Sequence, residues 1–498
     1  MAGRPYARPF FLWVHFFDPH SPYDPPEPFR AQYAARPYDG AIAYTDMQVG
    51  RLVKALEGRG FMDQTLFVVL GDHGESLGEH GESAHGILLY DGAVKIPLLM
   101  AGPGVPAEKV VDPQVRSVDV APTILAALNL PSGSTMQGAS LWPLLEGQTQ
   151  LPAESRFAYV ETIYPRTHMG WSPIWALRSR EWKFILAPQS ELFDLPRDAG
   201  ESQNVLKSHP AVADRYQTLL SNIQKTAPAE SVRAVPISRE TRQELASLGY
   251  VSAGTGVPLK LDLSRPDPKS RIGLLADFDK SINLMNAREY ARASALLQQL
   301  VARDPSNPLF ALRLGMCHEL SGNRRSALEA YERAIRHQAE TDEILIRAGN
   351  LLMGSGQFRQ AAAKYEHGLS LNESQEQCLN NLAVCYFNLG NLSATERTVN
   401  KLLAVNPNSA SGYNSLGLVR VRQGRREEAA AQFQKALRID PQFWEAWLNL
   451  GLHYQEQGRR EDALKCLEKF SQGAPPSRFA DSLLQVRGLI ARLRAGGS

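Results

Sequence analysis

The 498-residue chain is long enough for two or three domains, each with a core of its own. Its 43% hydrophobic and 21% charged residues are typical of globular proteins, and a formal net charge of only +2 argues against the basic surface of a nucleic-acid-binding protein. No apolar run approaches the length of a membrane span, so we expect no such span in this chain.

The first predicted element is an aromatic-rich strand over residues 9–17. The segment that follows, DPHSPYDPPEPF, is predicted to be a loop because proline cannot continue a strand ladder, and His20 lies in it. We interpret His15 as a core residue, since a histidine inside an apolar strand is usually satisfied there, and Asp18 as a turn former.

An amphipathic helix is predicted over residues 41–56, followed by a buried strand at residues 67–70. A helix leading into a strand is half of a βαβ unit, so we expect a parallel sheet covered by helices. Asp72 and His73 come directly after the strand, at the sheet edge where such folds place ligands. One carboxylate and one imidazole make half of a divalent metal site, although the same residues could form a polar loop facing water.

Further along, IPLLMAGPG predicts a strand and SVDVAPTILAALNL a helix, with Asp119 as a capping or packing residue. Residues 156–205 alternate short strands with turns, which indicates a small antiparallel subdomain. A helical tail is predicted to end at residues 244–251.

The second half of the chain is a repeat array with a step of 34 residues. Small residues, turn glycines and unit-closing prolines recur at this step, a pattern that resembles the tetratricopeptide repeat (TPR). We predict six units and a closing helix, and a curved surface that binds an unknown protein or peptide. The closing helix is expected to turn five apolar residues toward the last repeat: Leu483, Leu484, Val486, Ile490 and Leu493. The four cysteines all lie in this half at helical positions and are predicted to be core residues.

Two segments of the first half, HFFDPHSPYDPP at residues 15–26 and FVVLGDHGESLGEHGESAHGILLYDGAVKIP at residues 67–97, resemble the sulfatases of the alkaline-phosphatase-like superfamily. The resemblance implies a metal-assisted attack on a sulfate or phosphate ester. It implies that Asp72 and His73 bind the metal, and that His20 and His85 hold and protonate the ester. Many sulfatases have lysine at the position of His85 and asparagine at that of His73. A nitrogen ligand favours manganese or zinc over calcium, and the ion (calcium, manganese, magnesium or zinc) stays open.

The nucleophile of that family, in a Cys-x-Pro-x-Arg or Ser-x-Pro-x-Arg motif, does not occur in a matching context in this sequence. We therefore expect Met1 to be an internal start or a truncated gene model, and the chain alone to be inactive. An export signal would then lie upstream, and the compartment stays unknown. The alternatives are a non-catalytic TPR scaffold carrying a sulfatase remnant, and a phosphoester or phosphonate hydrolase or transferase of the same superfamily.

These observations predict an α/β sulfatase-like part with a small antiparallel subdomain, followed by an all-α TPR solenoid. The expected boundaries are 1–150 for the sulfatase-like core, 151–251 for the small subdomain and tail, 252–272 for a linker, 273–478 for the repeats and 479–498 for the closing helix and tail.

Overall fold

The computed structural model describes residues 9–133, 135–148, 152, 156–226, 263–337 and 341–495. They form two compact units. The first holds the described residues of Met1–Pro165, Ser172–Pro228 and Leu261–Gly273, and the second those of Arg166–Trp171 and Leu274–Ser498. The predicted tail at residues 244–251 lies outside the described residues, and so does the linker before residue 263.

The first unit opens with an extended segment and a helix pair. Helices α1 (Phe29–Gln32) and α2 (Pro37–Glu57) follow the proline-rich loop, and Pro37 stands at the first helical turn, where its missing N–H costs nothing. The predicted strand at residues 9–17 is wrong: these residues form no ladder with any part of the chain that the structure describes. Trp13 is 80% exposed. An apolar segment of this kind is buried only where a neighbouring strand covers it, and no described strand pairs with this one.

Strands β1 (Phe67–Leu70) and β2 (Leu98–Ala101) form a two-stranded sheet. Their pairing is antiparallel, with Phe67 opposite Ala101 and Leu70 opposite Leu98, so the parallel pairing expected for this region is wrong for these strands. A parallel pair requires a crossover that returns the chain to the starting edge. Here the chain between β1 and β2 instead folds over one end of the sheet, and Asp72, His73 and His85 lie in that connection.

The second sheet is an antiparallel meander, which confirms the predicted subdomain. Its strands are β3 (Ala158–Thr162), β4 (Ile174–Arg178), β5 (Trp182–Leu186) and β6 (Glu191–Asp194), hydrogen-bonded in that order. Helix α7 (Pro210–Thr226) packs on it and buries Tyr216 and Leu220 against Trp175 and Phe184. The shorter helices are α3 (Asp91–Val94), α4 (Val120–Ala127), α5 (Trp142–Leu145), α6 (Tyr164–Met169) and α8 (Pro268–Arg271).

The second unit is a run of antiparallel helix pairs, and the predicted all-α array is confirmed. Its helices are α9 (Leu274–Asn286), α10 (Tyr290–Arg303), α11 (Pro308–Leu320), α12 (Arg324–Arg336), α13 (Asp342–Gly354), α14 (Phe358–Leu371), α15 (Glu376–Asn388), α16 (Leu392–Val405), α17 (Ala410–Arg422), α18 (Arg426–Ile439), α19 (Trp444–Glu456), α20 (Arg460–Gly473) and α21 (Pro476–Arg494). The glycines of the turns between paired helices, among them Gly322 (φ 79°) and Gly424 (φ 74°), adopt the left-handed conformation that favours glycine.

Apolar side chains fill the space between successive helix pairs, and all four cysteines are buried and unbridged as predicted. In α21, Leu483, Val486, Ile490 and Leu493 are buried as predicted. Leu484 is instead 75% exposed, because one residue step rotates its side chain by 100° from Leu483 and away from the buried face. None of the described helices is long and apolar enough to cross a membrane.

Candidate active site

Three histidines from two distant segments meet beyond the end of β1. The imidazole rings of His73 and His85 stack with their centroids 3.7 Å apart, and the ring of His20 approaches that of His85 edge-on at 5.4 Å. Phe17 stacks on His20 at 4.7 Å and limits its rotation. Three of the four residues expected from the sequence are therefore in ring contact.

Asp72, the fourth, lies directly before His73. Its Oδ1 accepts the backbone N–H of His73 at 3.0 Å, and its Oδ2 lies 3.8 Å from His73 Nε2. Both side chains are open to solvent, with exposed fractions of 66% and 40%. The turn that follows requires Gly74, because a Cβ there would lie 2.2 Å from the carbonyl oxygen of Gly92.

Each of the three histidines has its Nδ1 beside an oxygen acceptor. His20 Nδ1 lies 2.6 Å from the carbonyl oxygen of Ser21, His73 Nδ1 lies 3.0 Å from that of Gly74, and His85 Nδ1 lies 3.1 Å from Glu75 Oε1. An oxygen acceptor fixes the proton on Nδ1 of a neutral imidazole, so that Nε2 carries the lone pair. This is the tautomer that can bind a metal or accept a proton through Nε2.

Asp72 and His73 fit part of a metal coordination sphere. Two donor atoms 3.8 Å apart can both lie about 2.1 Å from one cation. The Nδ1–H of His73 already donates to a backbone carbonyl, as metal-binding histidines usually require. However, no group of three or more His, Cys, Asp or Glu side chains within the described ranges is arranged to hold a metal ion. The ion is not identified, and these two residues would supply half of its ligands.

Glu75 is a partner of His85 that the sequence reasoning did not identify. Its side chain is only 4% exposed, compared with 21% for His85. The carboxylate also lies beside Tyr23 and Tyr38; burial raises the pKa of both phenols, and the negative charge of Glu75 raises them further. The pKa of His85 is lowered because burial outweighs the opposing effect of Glu75. Only one signal in the sequence pointed to this partner of His85: its position two residues after His73, the predicted metal-binding histidine.

Glu82 is a second unforeseen carboxylate, and it organises the loop that carries His85. Its two oxygens accept the backbone N–H groups of Ile87 at 2.8 Å and Leu88 at 3.1 Å. Burial of this residue, which is 3% exposed, raises its pKa to about 7 against the lowering effect of these hydrogen bonds.

An ion network fixes the other end of the same connection. Asp91 receives two hydrogen bonds from Arg178 at 2.7 and 2.9 Å and one from the fully buried Lys183 at 3.0 Å. Lys183 also pairs with Glu201 at 2.7 Å.

His80 does not belong to the group of His20, His73 and His85. It stacks on Tyr90 with centroids 3.5 Å apart and contacts the carbonyl of Gly200, so it packs against the scaffold.

Comparisons with known proteins match the two halves of the chain separately. The Sulfatase family matches residues 1–130, the N-sulphoglucosamine sulphohydrolase C-terminal family matches residues 78–228, and the cilia and flagella-associated protein 70 C-terminal domain matches residues 276–495. These matches confirm the resemblance of the first half to sulfatases and agree with the helical repeats of the second.

Individual relatives match less than half of the chain in the following cases. Arylsulfatase K of Danio rerio is 30% identical over 191 residues, which is 37% of this chain and 36% of that protein. The arylsulfatase of Clostridium perfringens is 26% identical over 255 residues, covering 42% of this chain and 51% of that protein. The chain thus spans a third to a half of the length of these curated relatives.

Two solved structures illustrate the two halves. BT4656, solved in complex with its substrate D-glucosamine-2-N,6-O-disulfate, is 29% identical with a TM-score of 0.36 and covers 39% of this chain and 42% of that one. YrrB, a TPR protein with an unusual peptide-binding site, is 20% identical with a TM-score of 0.33 and covers 36% of this chain and 90% of that one.

Proposed function

We propose that this chain, a sulfatase-like portion joined to a TPR array, supplies the metal-binding and histidine side of an active site that hydrolyses sulfate esters. A phosphate ester is the alternative substrate. The TPR array is proposed to bind a protein or peptide. The observation that carries the hydrolase proposal is the meeting of His20, His73 and His85 beside Asp72.

The proposed roles follow from the donor atoms. Asp72 and His73 would hold a divalent cation, which when bound neutralises nonbridging oxygens of the ester. The ring of His85 lies beside those of His20 and His73, and the Nδ1 atoms of His20 and His85 already have acceptors, so Nε2 is the nitrogen that would exchange a proton with the reacting groups. Asp72, at the exposed mouth of the site, can bind a cation without moving the scaffold.

A nucleophile motif of the sulfatase type is not found in these 498 residues, so the chain by itself is proposed to turn over little or no ester. The test is hydrolysis of an aryl sulfate and an aryl phosphate by the purified chain with manganese or calcium. Release of the phenol above the rate of an Asp72→Ala variant would contradict the proposed inactivity. It would at the same time support the site.

Metal binding is tested separately by thermal unfolding. A cation at ten times its Kd stabilises the folded state by about 1.4 kcal/mol, which for a unit of this size is a rise in Tm of roughly 3–5 °C. We expect this rise with millimolar manganese for the parent chain and for Asp63→Ala, a control at an exposed carboxylate just before β1. Asp72→Ala is expected to lose it.

The same experiment decides between the hydrolase and a non-catalytic scaffold. The scaffold has one observation in its favour, since the described residues bring only two ligands together. If manganese, calcium, magnesium and zinc all leave the parent and Asp72→Ala with equal Tm, no metal site survives in this chain. The TPR scaffold would then be the better account.

A further inference from the structure

Glu75 is a buried carboxyl group that contacts His85 at the candidate site and also lies beside the phenol of Tyr23. Its carboxylate is 4% exposed and lies 3.1 Å from Nδ1 of His85, which is itself mostly buried. A carboxylate kept from water in this way needs a donor, because leaving it unpaired costs several kcal/mol. The hydrogen bond therefore pairs the carboxyl group of Glu75 and at the same time restricts the orientation of the His85 ring.

The contact also decides which ring nitrogen of His85 faces the open side of the site. A carboxylate only accepts hydrogen bonds, so the proton of the neutral imidazole stays on Nδ1. Nε2 is left with a lone pair. A lysine, which the sulfatase resemblance places at this position in many relatives, would present only donors there. A neutral His85 differs from a lysine because its Nε2 can accept a proton.

We propose that Glu75 is a positioning residue that fixes the neutral ring of His85 as the Nδ1–H tautomer, so that Nε2 is the ring nitrogen available to the ester site. The resemblance implies that His85 holds and protonates the ester, and proton transfer in either direction would take place at Nε2. The inference deepens the proposed function and rests on it. His20 and His73 owe their tautomers to backbone carbonyls, and only His85 depends on a side chain.

The proton balance of this role is simple. When Nε2 of His85 accepts the proton of an attacking hydroxyl group or water, a lone pair of the attacking oxygen forms the new bond to the sulfur or phosphorus. The bond to the leaving-group oxygen breaks, and its electron pair stays on that oxygen. The ring then carries protons on both nitrogens and a positive charge, and the carboxylate of Glu75 stabilises that charge through Nδ1–H. On release of the proton to water or to the leaving group, the original tautomer returns.

The tautomer is measurable in the full chain, without turnover. The chain has 11 histidines, and labelling their rings with ¹⁵N allows long-range ¹H–¹⁵N correlation spectra at pH 8, where neutral rings dominate. Loss of one signal set in His85→Gln assigns His85. We expect a protonated Nδ1 and an unprotonated Nε2 for His85 in the parent.

The variants separate positioning from packing. Glu75→Gln should mix or reverse the tautomer of His85 while His20 and His73 keep theirs, and Glu75→Asp should retain part of the parent state. Glu79→Gln, at an exposed glutamate of the same connection, should change nothing at His85. A proton on Nε2 in the parent would overturn the inference even if no variant folds, and so would an unchanged tautomer in folded Glu75→Gln.

These outcomes are distinguishable from failure of the proposed function. If none of manganese, calcium, magnesium and zinc binds and the parent still shows the Nδ1–H form, the hydrolase proposal fails while the Glu75–His85 geometry stands. If manganese binds and His85 carries its proton on Nε2, the hydrolase proposal stands and the role of Glu75 falls.

Discussion

Glu82 provides a quantitative test of how the His85 loop is held. Its two carboxylate oxygens accept the N–H groups of Ile87 and Leu88, two and three residues beyond His85. These bonds, with one from Ser76, favour the charged form, but burial outweighs them and raises the pKa to about 7. In the unfolded chain the same group titrates near 4.5.

The sign of the effect follows from linkage. The folded state binds the proton of Glu82 more tightly than the unfolded state does. Its contribution is therefore fully present below the unfolded pKa near 4.5 and is lost as the pH rises through about 7. A difference of two to three pKa units corresponds to about 3 kcal/mol, most of which falls between pH 5 and pH 8.

The assay is urea unfolding of the parent, Glu82→Gln and Glu79→Gln between pH 5 and pH 8. Glutamine cannot titrate, so we expect the free energy of unfolding of the first unit to fall by about 2–3 kcal/mol more in the parent than in Glu82→Gln over this range. Glu79→Gln should follow the parent because Glu79 is exposed. Parallel curves for the parent and Glu82→Gln would refute the reasoning, since the carboxyl group would then be ionised across the whole range.

Two further substitutions test the scaffold. Lys183→Met leaves Asp91 and Glu201 without their buried cation and should lower the free energy of unfolding of the first unit by about 3–5 kcal/mol, measured by urea unfolding; a loss below 1 kcal/mol would contradict the network. In the array, Gly315→Ala would place a Cβ 2.0 Å from the ring of Tyr331 and should cost at least about 1–3 kcal/mol in thermal unfolding. Gly354→Ala meets nothing within 4 Å and should be neutral or slightly stabilising, so equal effects of the two would argue against this packing.

The repeat array could be predicted from sequence because its information is local and periodic. A small residue every 34 residues, glycine at four of five positions and Ala383 at the other, marks where two helices cross. The structure shows the reason: the ring of Tyr331 fills the space beside Gly315, and that of Tyr365 the space beside Gly349. Each of these contacts joins the two helices of one unit and recurs at the 34-residue step, so one pattern predicts the whole array.

The sheet of the first unit shows the limit of such reasoning. The apolar run at residues 9–17 has the composition of a strand, but a strand exists only where another strand accepts its hydrogen bonds, and sequence does not name that partner. The direction of β2 relative to β1 depends in the same way on the path between them. Alternation of side chains is identical for parallel and antiparallel neighbours, so composition could not distinguish the two.

The sequence predicted Asp72 and His73 as a metal-binding pair and His20 and His85 as catalytic residues. The structure brings the three histidines together beside Asp72, and their roles stay predictions. Glu75 and Glu82 were not predicted. Asp72 and His73 are adjacent in sequence, and His20 and His85 were placed by resemblance. Glu75 and Glu82 belong to the same acidic loop as the exposed Glu79, and nothing in the order of residues separates buried from exposed carboxylates. Their burial follows from the fold of the loop around Gly74 and from the tyrosines of a distant segment.

The charges of the site suggest why a cation would matter to it. The site brings the carboxyl groups of Asp72 and Glu75 beside its histidines, and carboxylates repel the negative charge of a sulfate or phosphate ester. Two like charges 4 Å apart near a protein surface repel by about 4 kcal/mol. A divalent cation at Asp72 and His73 would reverse the sign of the local field. On the proposed function, binding of the ester should therefore require binding of the cation.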